Sequence, residues 1–250
     1  LAYHSVENIG IICMGLGVAV LGRGLGRPDL IALGLAGALL HVWNHGLFKA
    51  LLFLSGGAVL HATGTREIDH LGGLVHRMPR TSLAFLIGAV AICGLPPLNG
   101  LISELFIYLG LLHAGEAGGS PWLMGALTAP ALALIGALAV ACFVKVFGAV
   151  FLGQPRTADA TQAHEVGAAM IAPMAILAAC CLFIGLGAPW VAGVLDTAIA
   201  SWTGHGGVPS LRSIAPLSAV SATNLALLLA LASAGFAFVA RARAVPRDVG

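Results

Sequence analysis

Long apolar runs, each closed by a short polar stretch, set the frame of this chain. They lie at roughly 2–22, 30–62, 82–112, 122–152, 166–187 and 215–240. Each is long enough to cross ~30 Å of hydrocarbon as a helix, which takes about 20 residues. The run at 30–62 exceeds that length, so it either tilts or begins as a loop. The run at 82–112 is interrupted by GLPPLNG. There Pro96 and Pro97 remove two backbone donors while Gly94 and Gly100 loosen the flanks, which predicts a broken helix. Between the fifth and sixth runs, WVAGVLDTAIASW is mildly amphipathic and reads as an interfacial helix near 188–204. The pattern therefore predicts an all-α, polytopic transmembrane bundle of about six spans. Residues 1–113 form one unit with the broken helix, and residues 114–250 form trailing spans.

Composition agrees with the pattern. Of 250 residues, 59% are hydrophobic and 9% charged, and the mean hydropathy is +0.98. Soluble domains carry about 25% charged residues. No basic stripe offers a nucleic acid a surface. The cysteines, Cys13, Cys93, Cys142, Cys180 and Cys181, all sit in apolar runs without C-x-x-C spacing. They read as small buried apolar residues rather than a metal site, cluster or disulfide framework. No haem-ligation pattern or dinucleotide fingerprint is present, so no cofactor or metal is expected in this chain. The first residue is Leu1, and LAYHSVENIG reads as entry into a span already under way, without the basic region or cleavage site of a signal peptide. A fragment lacking an N-terminal portion is expected.

Six single crossings place the second and fourth loops and the C-terminus on one side. That side carries Arg66, Arg77, Arg80, Arg156, Arg241, Arg243 and Arg247, against Arg23, Arg27 and Arg212 on the other. The positive-inside rule then puts the C-terminus in the cytoplasm.

Charge placement changes the picture most. Both lysines, Lys49 and Lys145, lie inside spans, as do the acids Glu7 and Glu104. A lysine at the centre of a spanning helix costs ~2.5–3.5 kcal/mol on insertion scales, and intramembrane ionisable groups usually mark ion or proton paths. In HVWNHGLFKALLFLSGG, His41, His45 and Lys49 follow one another at i, i+4 and i+8. Each step advances a helix by ~6 Å and turns it ~40° past a full circle, so the three share one face over ~12 Å. Imidazole titrates near neutrality, and burial draws a lysine toward it, so a water-bridged column of these groups can pass protons. The plainer alternative is a set of polar contacts between packed helices.

Glu104 lies one turn into the second half of the broken helix, where a carboxylate at mid-depth can serve an ion path. The alternative is a packing kink with a snorkelling acid. Lys145 either contributes to a path or snorkels toward the end of its span. His4 and Glu7, at i and i+3, either form a functional pair or anchor the first span at the interface. His61, His70, His76, His113, His164 and His205 fall at span ends or in loops, where solvated polar residues are expected.

Three of these stretches carry a family likeness. LAYHSVENIG, HVWNHGLFKALLFLSGGAVLHATGTREIDHLGGL and GLPPLNGLISELFIYLGLL resemble the antiporter-like proton-channel subunits of respiratory complex I and Mrp antiporters. The HSVENIG form and the glutamate in LISELF are most similar to the branch in hydrogenase-4 and formate hydrogenlyase. The resemblance covers nearly the whole chain. It implies about fourteen helices in two inverted repeats, of which this chain holds most of the second repeat within 1–113, followed by trailing helices. It also implies that Lys49 is a central proton carrier, that His41 and His45 connect it toward solvent, and that Glu104 ends the channel where many members have lysine. The glutamate and lysine pair of the earlier repeat has no counterpart in these residues. The implied partners are other membrane subunits, a peripheral redox arm, the lipid bilayer and protons, in an inner or cytoplasmic membrane. The implied activity is proton conduction coupled to electron transfer in those partners, within a quinone-reductase-like or hydrogenase-like complex. Two other readings stand beside it. Glu104 offers oxygen ligands to a hard cation, which suits a sodium/proton antiporter subunit. A membrane anchor that does not conduct is the third.

Overall fold

The computed structural model describes residues 2–116, 118–204 and 207–244, with side chains through residue 237. The described residues are helical or irregular, without strands. Five long helices correspond to uninterrupted runs: α1 (Tyr3–Leu25), α2 (Pro28–Thr63), α6 (Gly119–Phe151), α8 (Ala168–Leu186) and α11 (Leu217–Ala244). Each contains a stretch long and apolar enough to cross a membrane. The remaining run, 82–112, is the broken one, folded as α4 (Pro79–Ile92) and α5 (Asn99–Gly115). At 14 and 17 residues, these pieces are ~21 Å and ~25 Å long, and neither alone matches a standard span. Short helices α3 (Leu74–Arg77), α7 (Ala158–Gln162) and α10 (Leu211–Ile214) lie in connectors, and α9 (Ala188–Thr203) occupies the segment read as interfacial. One side of α9 is buried through Ala188, Ala192, Leu195 and Ile199, while Trp190, Val194 and Trp202 are exposed. His205 lies outside the described residues.

The centre of the bundle is α2. Its 36 residues form one continuous helix, ~54 Å long and so well beyond ~30 Å of hydrocarbon. Pro28 starts it at a position where the missing N–H costs nothing. Helices α1, α4, α5, α8 and α9 all pack against it. Close approach of α1 is permitted by small residues: a Cβ on Gly15 would lie 3.0 Å from both the Ala38 amide and the Gly34 carbonyl. Without a hydrophobic drive between helices in lipid, such small-residue contacts are what bring backbones together. By contrast α11 is largely exposed over Leu217–Ala237 and is tied to α8 by Asn224, whose Nδ2 donates to the Gly185 carbonyl at 2.8 Å.

At one end, the connector at 64–78 and the loop at 152–167 are bound to each other. Arg156 donates to the Leu71 carbonyl at 2.8 Å, and Gly73 N–H donates to the Leu152 carbonyl at 2.9 Å. Glu165 caps α4 through Arg80 N–H at 2.7 Å and the Thr81 hydroxyl at 2.6 Å. Elsewhere Arg27 grips Asp29 with two hydrogen bonds, of 2.9 and 2.7 Å, and His113 meets the same carboxylate at 3.1 Å. The Asp29 bond holds the Arg27 guanidinium above the ordinary arginine range. His113 is thus half-buried in an ion cluster rather than simply solvated.

Candidate functional site

Three helices, α1, α2 and α5, enclose a polar seam. Lys49 and His41 are buried on the face of α2 that the i, i+4, i+8 spacing defines, with His45 half-buried between them. Phe48 meets both imidazoles edge-on, with ring centroids 6.2 Å from His41 and 5.8 Å from His45. The Lys49 ammonium lies 5.3 Å from the centre of the Phe53 ring, a favourable cation–π distance. His45 Nε2 is buried without a hydrogen-bond partner among the described residues.

His41 is bonded at both nitrogens. Nε2 lies 3.0 Å from Asn8 Oδ1 on α1, and Nδ1 lies 2.9 Å from Ser103 Oγ on α5. Asn44, one turn on from His41, donates from Nδ2 to Ser103 Oγ at 3.0 Å and to the Asn99 carbonyl at 2.7 Å. Asn99 Nδ2 returns a bond to Asn44 Oδ1 at 3.0 Å. A fully buried ladder of amides, hydroxyl and imidazole therefore crosses the three helices. Paired polar groups of this kind offset a burial cost of several kcal/mol each in hydrocarbon.

The charged groups are strung along this ladder. The charge of His45 reaches His41, and the charge of Lys49 reaches His45. Glu7 on α1 is within electrostatic reach of both Lys49 and Glu104. His4 Nδ1 pairs with Glu7 Oε2 at 2.6 Å, and His4 Nε2 lies 3.4 Å from Cys142 Sγ on α6. Lys145 is exposed on α6 and is not drawn into the seam.

The broken helix sets the position of Glu104. After Ile92 the chain leaves helical geometry through Cys93 and Gly94, passes the cis Pro96–Pro97 bond, and re-enters a helix at Asn99. Gly94 has φ +62°, and its Cα faces the Glu104 carboxyl group so closely that a Cβ would sit 2.6 Å from Oε2. Gly100 packs beneath the Ala91 carbonyl. Glu104 is thereby buried against bare backbone, near 9% exposed.

Sequence comparison bears on what such a seam belongs to. The family model described as NADH:quinone oxidoreductase/Mrp antiporter, TM, matches residues 1–129. The chain belongs to that family. It is 47% identical over 200 residues to formate hydrogenlyase subunit 3 of Escherichia coli K12, an alignment covering 80% of this chain and 33% of that protein. It is 45% identical over 193 residues to hydrogenase-4 component B of the same organism, covering 77% and 29%. Among solved structures it is similar to the Mrp complex from Dietzia sp. DQ12-45-1b, with TM-score 0.58, 21% identity, and coverage of 80% of this chain and 47% of that one. The chain spans about a third of the length of these curated relatives. As a family member it is an integral membrane protein of antiporter-like type.

Sequence reasoning singled out the charged residues of the seam and overlooked its uncharged ones. Asn8, Asn44, Asn99 and Ser103 are each fully buried. A signal was available: asparagine is costly in an apolar helix, and Asn44 falls at i+3 from His41 on α2.

Proposed function

We propose that this chain is the conducting part of a membrane subunit that moves protons, with electron transfer taking place in partner subunits of a larger complex. The observation that carries the reading is the succession His41, His45, Lys49, Glu7 and Glu104 across three helices, each within electrostatic reach of the next. Protons enter through the imidazoles and reside on Lys49. Glu7 answers the Lys49 charge, and Glu104 receives or blocks the proton according to the charge on its neighbours. The succession suits protons because imidazole, amine and carboxyl groups can each take up and release one. The His4–Glu7 pair lies at one edge of the route. Lys145, exposed on α6, would join it only through groups on a neighbouring helix.

The partners in this reading are other membrane subunits and, through them, a redox arm. The site is an inner or cytoplasmic membrane, with the connectors carrying Arg66, Arg77, Arg80 and Arg156 in the cytoplasm together with the C-terminus. The test is Lys49→Ala in the complete complex reconstituted into proteoliposomes. Turnover-driven proton movement should be lost while the complex still assembles. Wild-type proton movement in that variant overturns the reading, and proton movement that requires sodium at fixed pH transfers the assignment to a sodium/proton antiporter.

A further inference from the structure

Ser103 stands where the ladder meets the proton route. Its hydroxyl oxygen is within hydrogen-bond distance of His41 Nδ1 at 2.9 Å, Asn44 Nδ2 at 3.0 Å and the Gly100 carbonyl at 3.0 Å. Two of the surrounding orientations are fixed by further partners. Asn44 Nδ2 also donates to the Asn99 carbonyl while Asn44 Oδ1 accepts from Asn99, so Asn44 always donates to Ser103. Asn8 Nδ2 donates to the His4 carbonyl at 2.7 Å, so Asn8 presents its oxygen to His41. An oxygen can only accept, and Nε2 of His41 therefore carries a hydrogen in both charge states of the ring. The change of charge is confined to Nδ1.

We propose that Ser103 is a positioning residue whose hydroxyl turns between two acceptors and lets His41 hold or release a proton without losing a hydrogen bond. When His41 is neutral, the Ser103 O–H donates to bare Nδ1. When His41 is an imidazolium, Nδ1–H donates to Ser103 Oγ and the hydroxyl hydrogen turns to the Gly100 carbonyl. The added proton comes from a hydronium ion on the entry side, and Nδ1 releases it to the neutral His45 imidazole on the way to Lys49. Ser103 keeps its own hydrogen throughout. A fixed donor in this place would admit only the neutral ring, and a fixed acceptor only the charged one. A hydroxyl admits both. Among the other ionisable groups, the charge of His45 on α2 reaches His41, while Lys49 on α2, His4 and Glu7 on α1, and Glu104 on α5 belong to the same three helices. The inference rests on the proton-conducting reading above.

The test measures turnover-driven proton movement against pH in the complete reconstituted complex, for Ser103→Ala, Ser103→Thr and Lys49→Ala. Losing one hydrogen bond to a charged group predicts a fall of about 10- to 100-fold for Ser103→Ala. The charged ring loses the stronger of the two bonds, so the midpoint of the acidic limb moves to lower pH by about one unit. Ser103→Thr, which keeps the hydroxyl, restores both rate and midpoint. If Ser103→Ala does not assemble, Ser103→Thr against Ser103→Val makes the same comparison at nearly constant shape. Wild-type rate and midpoint in Ser103→Ala (or in Ser103→Val), with Lys49→Ala inactive, overturn this inference alone. An active Lys49→Ala overturns the reading beneath it.

Discussion

Gly94→Ala puts the broken helix to the sharpest test, because that glycine meets two separate demands. Its φ of +62° lies in the left-handed region, where an L-residue with a side chain pays roughly 1–2 kcal/mol. Its Cα also forms the floor under Glu104. An alanine Cβ would lie 2.6 Å from Oε2 and 2.7 Å from both Cδ and Oε1, against 3.4 Å for ordinary contact. The carboxyl group must therefore retreat by about 0.8 Å, a displacement on the scale of the radial gap that forfeits about a quarter to a half of a dispersion contact. The backbone cost alone falls within the range that most single substitutions impose, so the chain should still fold and assemble. Transfer geometry is less forgiving, since a displacement of ~1 Å can cost about 100-fold.

The expected result is therefore an assembled complex whose proton movement falls by about 10- to 100-fold. A double-mutant cycle on thermal stability separates the two effects. With Glu104→Ala in the background the Cβ has room, and Gly94→Ala should cost about 1 kcal/mol less there than in the wild type. Zero coupling in that cycle, or unchanged proton movement in Gly94→Ala, would refute the link between the glycine and the carboxylate.

Other substitutions separate seam from scaffold. Asn8→Ala strips His41 Nε2 of its partner, and a buried unpaired polar group costs about 1–3 kcal/mol, readable as a lower melting temperature together with slower proton movement. Glu165→Ala removes the cap of α4 and should lower stability by about 1 kcal/mol, with proton movement per assembled complex unchanged. Lys145→Ala should reduce proton movement far less than Lys49→Ala in the same assay, because Lys145 is exposed and lies off the seam. A cysteine placed at Arg156 should react with an impermeant maleimide from the cytoplasmic side only, as the arginine distribution requires.

Much of the architecture was legible because hydrocarbon permits few solutions. Apolar runs of sufficient length must be helices, and the Pro96–Pro97 pair must interrupt one. The helical period alone places His41, His45 and Lys49 on one face. The uncharged ladder was harder to read because its partners are distant in sequence: Asn8 meets His41 across 33 residues and Asn44 meets Asn99 across 55. Helix periodicity shows which residues share a face but not which faces meet. The same limit explains Lys145, whose apolar surroundings in sequence resemble those of Lys49. What separates them is packing, since α2 is enclosed by its neighbours while much of α6 is exposed. His113 joined an ion cluster for a similar reason, through contact with Asp29 from 84 residues away.

The central claim is that ionisable groups from three helices converge on one interior seam that carries protons. Its most direct test is a cryo-electron microscopy map of the complete complex in lipid nanodiscs, at a resolution that places ordered water. Waters should link the Lys49 amine to His45 Nε2 on one side and to the Glu7 and Glu104 carboxylates on the other. A Lys49 amine directed into lipid, or separated from those groups by a dry apolar gap, would contradict it.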